Sequence, residues 1–195
     1  QNGLPAGSSI AQPLSNGLNC ETCHNDLEAY TIYEVTEVEF PSGAVIDSGD
    51  GQMNLCMNCH QGRNSTPNVN NLVADLDPDA VAEGLGFQNV HYFAAGATLF
   101  GDEAQGAYQY DGKDYVGRNT HIDDYDSCTE CHSTHQLEVK FEECGDCHSG
   151  VAVKEDLETI RESGDDFDGD GDTDEGIAGE IETMNEALYA AIQNY

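Results

Sequence analysis

All eight cysteines of this 195-residue chain fall into four C-x-x-C pairs: Cys20 and Cys23, Cys56 and Cys59, Cys128 and Cys131, Cys144 and Cys147. A histidine follows each pair directly, as His24, His60, His132 and His148, so one five-residue unit occurs four times. With 7 histidines in the whole chain, the chance of filling all four following positions is about 10⁻⁶. A unit repeated against such odds answers to one chemistry.

C-x-x-C-H is the attachment signature of c-type haem. Two thiols three residues apart on one helical turn can form thioethers with the two haem vinyl groups, and the adjacent imidazole then reaches the iron from the same side. Zinc ribbons also pair C-x-x-C units, but they need no histidine after every pair. A thioredoxin-like site needs one pair in a βαβ setting, and structural disulfides have no reason to repeat the triplet. The expectation is four haem c groups held by the eight cysteines, with His24, His60, His132 and His148 as proximal iron ligands.

Four macrocycles also answer a question raised by composition. Only 38% of residues are hydrophobic, with no Trp and 21 Gly, which leaves little for a chain of this length to bury. Haem supplies the missing apolar interior, about fifty residues being available to wrap each group. The expected fold class is a multihaem cytochrome c: a mostly irregular chain with short helices and small β-hairpins wrapped around four haems, plus a C-terminal helix-loop-helix. Residues 1–150 form the haem domain, with an extended N-terminal arm, and residues 151–195 form a helical tail.

The charge restricts the partners. Against 38 Asp and Glu stand 6 Lys and Arg, a formal net charge of −32, which argues against nucleic acid and anionic membrane surfaces. No stretch approaches the roughly 18–20 apolar residues of a membrane helix, so no membrane insertion is expected. Covalent haem implies export, to the cell surface or beyond it, with the periplasm as the alternative. Gln1 is not preceded by a charged, apolar leader, as expected of an exported chain whose signal has been removed.

His91, His121 and His135 remain outside the motifs. Imidazole is a common axial ligand, and four irons need sixth ligands. His135 lies three residues after His132, on the same side if the segment is helical, whereas the two axial ligands of one iron sit on opposite faces. It is expected to reach a different iron, which would hold two haems in near contact, and His121 can similarly serve a neighbour. Seven histidines for eight axial positions leave one iron different. Its sixth ligand is Met53 or Met184, another donor, or an open position for substrate; Met57 lies inside its own attachment loop.

Elsewhere, alternation over "AYTIYEVTEVEFPSGAVID" predicts a β-hairpin from about Tyr30 to Ile46, turning at Pro41-Ser42-Gly43. "YQYDGKDYV" predicts a second around Asp111-Gly112. "DPDAVAEGLGFQNVHYFAAGATLFG" reads as short helical pieces broken by glycines, with His91 before an apolar stretch. Four haems carry eight propionates against the chain's few basic residues; Arg63, close behind His60, is the candidate for a direct propionate contact. In the tail, "DDFDGDGDTDEG" resembles an EF-hand-like calcium loop, with Asp166, Asp168, Asp170, Gly171, Asp172 and Asp174 at positions one, three, five, six, seven and nine. Position twelve is Ile177, so Glu175 or Glu180 must take the place of the usual glutamate.

The four C-x-x-C-H units, the additional histidines and the acidic, sparsely structured chain resemble tetrahaem c-type cytochromes, and more particularly the extracellular cytochrome filaments, or nanowires, of bacteria and archaea. The resemblance covers residues 18–150. It implies a continuous chain of haems, mostly bis-histidine irons with His91, His121 and His135 as distal ligands, and an axial histidine contributed by an adjoining subunit. The seven-histidine count departs from that pattern. The function implied is long-range electron transfer without turnover of a substrate, with identical subunits and redox donor and acceptor proteins or extracellular acceptors as partners. A discrete periplasmic or surface carrier is the alternative, and a haem reductase working at the ligand-deficient iron is another, although no motif carries Lys in place of its histidine.

Overall fold

The computed structural model describes residues 17–91, 93–122 and 125–195. The N-terminal arm lies almost wholly outside them. The chain divides into two compact units, Gln1–Thr129 and Glu130–Tyr195, so the division runs through the third C-x-x-C pair, whereas composition drew it at residue 150.

In the first unit, helix α1 (Cys20–Cys23) is a single turn. Strands β1 (Val38–Glu39) and β2 (Val45–Ile46) then pair antiparallel, Val38 opposite Ile46 and Glu39 opposite Val45. The hairpin expected from Tyr30 is therefore short, and the reason lies in competing partners. Ile32 bridges to His24, and the carbonyls of Val35 and Thr36 accept from the Asn54 side chain. Helix α2 (Gly51–His60) begins where Asp50 caps the amides of Gln52 and Met53 through its Oδ1. Helix α3 (Thr66–Val73) begins at Ser65, with Pro67 in its first turn.

Helix α4 (Ala95–Ala104) bends at Gly101, whose φ of 44° is left-handed. A Cβ there would stand 2.3 Å from the carbonyls of Val116 and Gly117, so glycine lets the returning chain close on the helix. Val38, Phe40, Ile46, Met57, Ala97, Phe100 and Ala104 form the packed core of this unit. Of the stretch 77–101, expected to hold short helical pieces, residues 77–91, 93 and 94 hold no helix, while its last residues begin α4. At Asp111-Gly112 there is a turn without strands: the Tyr110 amide donates to the Tyr115 hydroxyl, and the Gln109 amide to Thr66 Oγ1, so neither serves a ladder.

Helix α5 (Cys128–Cys131) spans the boundary between units. The second unit continues with α6 (Phe141–Cys144), a 3-10 turn (Lys154–Thr159) and helix α7 (Ile177–Asn194). The tail is thus helix-loop-helix with a 3-10 first arm. That turn is anchored by Asp156, which accepts from the amides of Ala152 and Val153. Beyond it the Ile160 carbonyl accepts from the Ile177 amide, and Gly176 sits so close that a Cβ would be 1.9 Å from the Glu158 carbonyl. Among the described residues no helix is long and apolar enough to cross a membrane.

Candidate haem sites

Each C-x-x-C pair sits on a tight helical turn. The first occupies α1 and the third α5, while the second forms the last turn of α2 with His60 as the closing residue. In the fourth, the Cys144 carbonyl accepts from the amides of both Cys147 and His148, at 3.2 and 2.8 Å. His24 makes the same return to Cys20, at 2.8 Å.

The rings are oriented by contacts that the motif does not contain. His24 Nδ1 lies 3.0 Å from the Tyr30 carbonyl, and His60 Nδ1 lies 2.5 Å from that of Phe93. A carbonyl can only accept, so Nδ1 carries the proton and Nε2 presents its lone pair, the tautomer an iron ligand requires. Both carbonyl-supplying residues have positive φ, Tyr30 at 55° and Phe93 at 57°, a conformation bulky side chains rarely adopt. His148 Nδ1 instead meets a carboxylate oxygen, Glu162 Oε1, at 3.1 Å.

The first and third motifs share more than five residues. After His24 the chain loops back so that Asn25 N donates to Thr31 O, Tyr33 N donates to Cys23 O, and Ile32 bridges His24. After His132 the loop repeats one residue shorter: Ser133 N donates to Glu138 O, Lys140 N to Cys131 O, and Val139 bridges His132. A left-handed residue stands two before the bridge in each case, Tyr30 and Leu137. The faint sequence signal is Tyr-Thr-Ile against Leu-Glu-Val, an apolar residue and a β-branched one flanking a polar one.

Thiols of successive motifs are electrostatic neighbours. Burial raises the Cys23 pKa, and nearby Cys56 and Cys59 raise it further. Cys56 accepts a hydrogen bond from the Cys128 thiol, which lowers the pKa of Cys56 and raises that of Cys128. In the second unit burial raises Cys131, assisted by Cys144. Each of these influences is internal to one unit.

The remaining histidines are held differently. His91, at φ 80°, donates its amide to Asn89 Oδ1. His121 is exposed, with its ring edge-on to Tyr125 at 6.4 Å. His135 occupies the turn at 134–136 and is exposed, so the helical spacing used to relate it to His132 does not apply: His132 already lies in the bridge with Val139. Of the methionines, Met53 is buried with its sulfur 3.9 Å from Arg118, while Met184 is half-exposed on α7. Arg63 is exposed. In the first unit Arg118 faces inward, stacked 5.3 Å from the Phe100 ring centre and bonded to the Asp126 carbonyl, with a buried Nε that has no hydrogen-bond partner.

The acidic loop brings together only part of its expected ligand set. Among the described residues, carboxylate oxygens converge in two groups, Asp166 with Asp168 and Glu180, and Asp168 with Asp170 and Glu175. Asp172 and Asp174 stand outside both; Asp172 Oδ1 accepts from the Asp174 amide. Glu180, fully buried, is committed to Arg161 at 2.6 Å and to the amides of Phe167 and Asp168 at 2.8 Å. Burial pushes its carboxyl up, but Arg161 and those amides outweigh burial and hold it below the usual range. Glu175 has no such support: burial raises its pKa, and Asp168 and Asp170 raise it further. Asp168 Oδ2 and Glu175 Oε1 are buried with no hydrogen-bond partner, the condition a hard cation would satisfy.

No family model matches the chain, and no solved structure matches it. A stretch of 63 residues, 32% of the chain, is 41% identical to the C-type polyheme cytochrome OmcB of Geobacter sulfurreducens, in each of two strains. The chain spans 7% of the length of those relatives. That local likeness supports a multihaem c-type cytochrome, the class implied by four C-x-x-C-H units.

Proposed function

We propose that this chain transfers electrons along a row of four covalently bound c-type haems, as the subunit of a polymeric extracellular filament. The reading is supported by the four C-x-x-C-H units and by the electrostatic influence that thiols of neighbouring motifs exert on one another, Cys56 and Cys59 on Cys23, Cys128 on Cys56, and Cys144 on Cys131. Macrocycles anchored on neighbouring thiols would lie close together, the proximity that electron hopping needs.

The residues then divide the work. Two cysteines would fix each macrocycle, and His24, His60, His132 and His148 would bind iron. The Tyr30 and Phe93 carbonyls keep Nε2 of His24 and His60 available. His91, His121 and His135 would be the further ligands to iron. Exposed Leu27, Tyr30, Phe93 and Leu137, each within a few residues of a motif histidine or its carbonyl partner, offer apolar surface for the macrocycles to cover. Bound haem supplies an iron that accepts one electron and returns it, with no bond made or broken. Ligands fixed in place change little between the two oxidation states, so no acid or base is required and no substrate is transformed. Calcium fits at Asp168, Asp170 and Glu175, where it would neutralise two stranded carboxylate oxygens.

Subunits of charge −32 repel one another, and the repulsion falls with salt, the Debye length being about 10 Å at 0.1 M. Polymers are accordingly favoured by high salt or calcium. Electron cryomicroscopy of native material tests the reading: filaments with four closely spaced haems per subunit are expected. A stable monomer under all salt and calcium conditions refutes the filament and leaves a discrete surface or periplasmic carrier. The shortfall of one histidine favours a second reading, a reductase at the under-ligated iron, which high-spin iron together with nitrite or hydroxylamine turnover would establish.

A further inference from the structure

We propose that Glu162 is a positioning residue for the fourth haem, orienting His148 and lowering the reduction potential of the iron that His148 binds. The proposal rests on the multihaem reading above. His24 and His60 give Nδ1 to neutral backbone carbonyls, at 3.0 and 2.5 Å, whereas His148 gives it to a carboxylate oxygen at 3.1 Å. A carboxylate draws the Nδ1 proton more strongly than an amide carbonyl does, which makes the imidazole a better electron donor through Nε2. Stronger donation, and a negative charge one ring away, stabilise ferric over ferrous iron.

Glu162 is held in place although its side chain is 78% exposed. Its neighbour Arg161 is clamped by Glu180 at 2.6 Å, the Glu175 carbonyl at 3.0 Å, the Ser163 carbonyl at 2.8 Å and the Asp165 carbonyl. This segment therefore ties the acidic loop to the fourth attachment motif. Water around the exposed carboxylate limits its effect to about a tenfold change in the ferric to ferrous ratio, or about 59 mV for one electron.

Spectroelectrochemical titration of the holoprotein at fixed pH and ionic strength tests this, comparing wild type with E162Q and E162D and counting haems by intact mass. E162Q leaves an acceptor of the carbonyl kind. One of the four midpoints should rise by about 59 mV, a tenfold fall in its ferric to ferrous ratio at a given potential, the other three should stay, and E162D should restore most of the difference. Four wild-type midpoints in E162Q, with four haems attached, refute the role of Glu162 alone. A movement of all four midpoints also overturns it, because that marks general structural damage. A haem count that leaves Cys144 and Cys147 unmodified refutes both this role and the reading beneath it.

Discussion

Replacing Asn54 by alanine should loosen the second haem site without touching a ligand. Asn54 is almost wholly buried in α2, two residues before Cys56, and all its polar atoms are engaged. Its Nδ2 donates to the carbonyls of Val35 and Thr36 and to Asp47, at 3.1, 3.0 and 3.0 Å, while its Oδ1 accepts from the amide and hydroxyl of Ser48, at 3.0 and 2.8 Å. Thr36 and Asp47 are exposed and can turn to water, but the Val35 carbonyl and the Ser48 amide are only partly accessible. Two stranded backbone groups at about 1–2 kcal/mol each make the cost of N54A about 3 kcal/mol. For a unit of this size that lowers Tm by roughly 10 °C. Thermal unfolding followed by far-ultraviolet and Soret circular dichroism measures it, and a fall of less than about 3 °C refutes the reasoning. Acid supplies a second check. Asn54, with the Gly49 amide, holds the Asp47 carboxyl below its usual range. A carboxyl lowered in the folded state stabilises above its ordinary pKa and loses that contribution as pH falls through the lowered value. N54A has less to lose, so the gap between the two melting curves should narrow in acid.

Two further outcomes follow from the sites. In H135A one of the four irons should lose its sixth ligand and show a high-spin band, with one equivalent of carbon monoxide bound on reduction; a wholly low-spin spectrum would remove His135 from the ligand set. Calcium titrated calorimetrically should bind E175Q at least about tenfold more weakly than wild type, while D172N, whose side chain serves a backbone amide, should change little; equal affinity in E175Q would dismiss the site.

The attachment signature was legible because it is contiguous: five adjacent residues carry the thiols and the imidazole, and no folding is needed to assemble them. What orients those imidazoles was not legible. Phe93 lies 33 residues from His60, and nothing in its identity announces that its backbone turns left-handed to offer a carbonyl. Alternation overstated the hairpin for a related reason, since the Val35 and Thr36 carbonyls satisfied a distant asparagine before they could join a ladder. For His135 the helical spacing was mistaken, because the third motif leaves its helix at His132 and enters a bridged loop. In the tail the spacing of oxygen donors identified the loop, but only the fold distinguishes Glu180, used up by Arg161 and two amides, from Glu175, whose oxygen is stranded. Charge and nearness to His60 singled out Arg63, whereas Arg118 reaches Phe100 and Asp126 through contacts no short window of sequence contains.

The returning loop found after both His24 and His132 closes on itself through backbone hydrogen bonds such as Tyr33 N to Cys23 O and Lys140 N to Cys131 O, all within about ten residues of the cysteines. Such a cassette asks nothing of a distant core, so damage to one should be borne locally: its opening would release one electron relay while its counterpart stays shut. Cooperativity would then reside in the segment rather than in the domain, and a conductor could be lengthened by adding copies of the segment without enlarging any common interior.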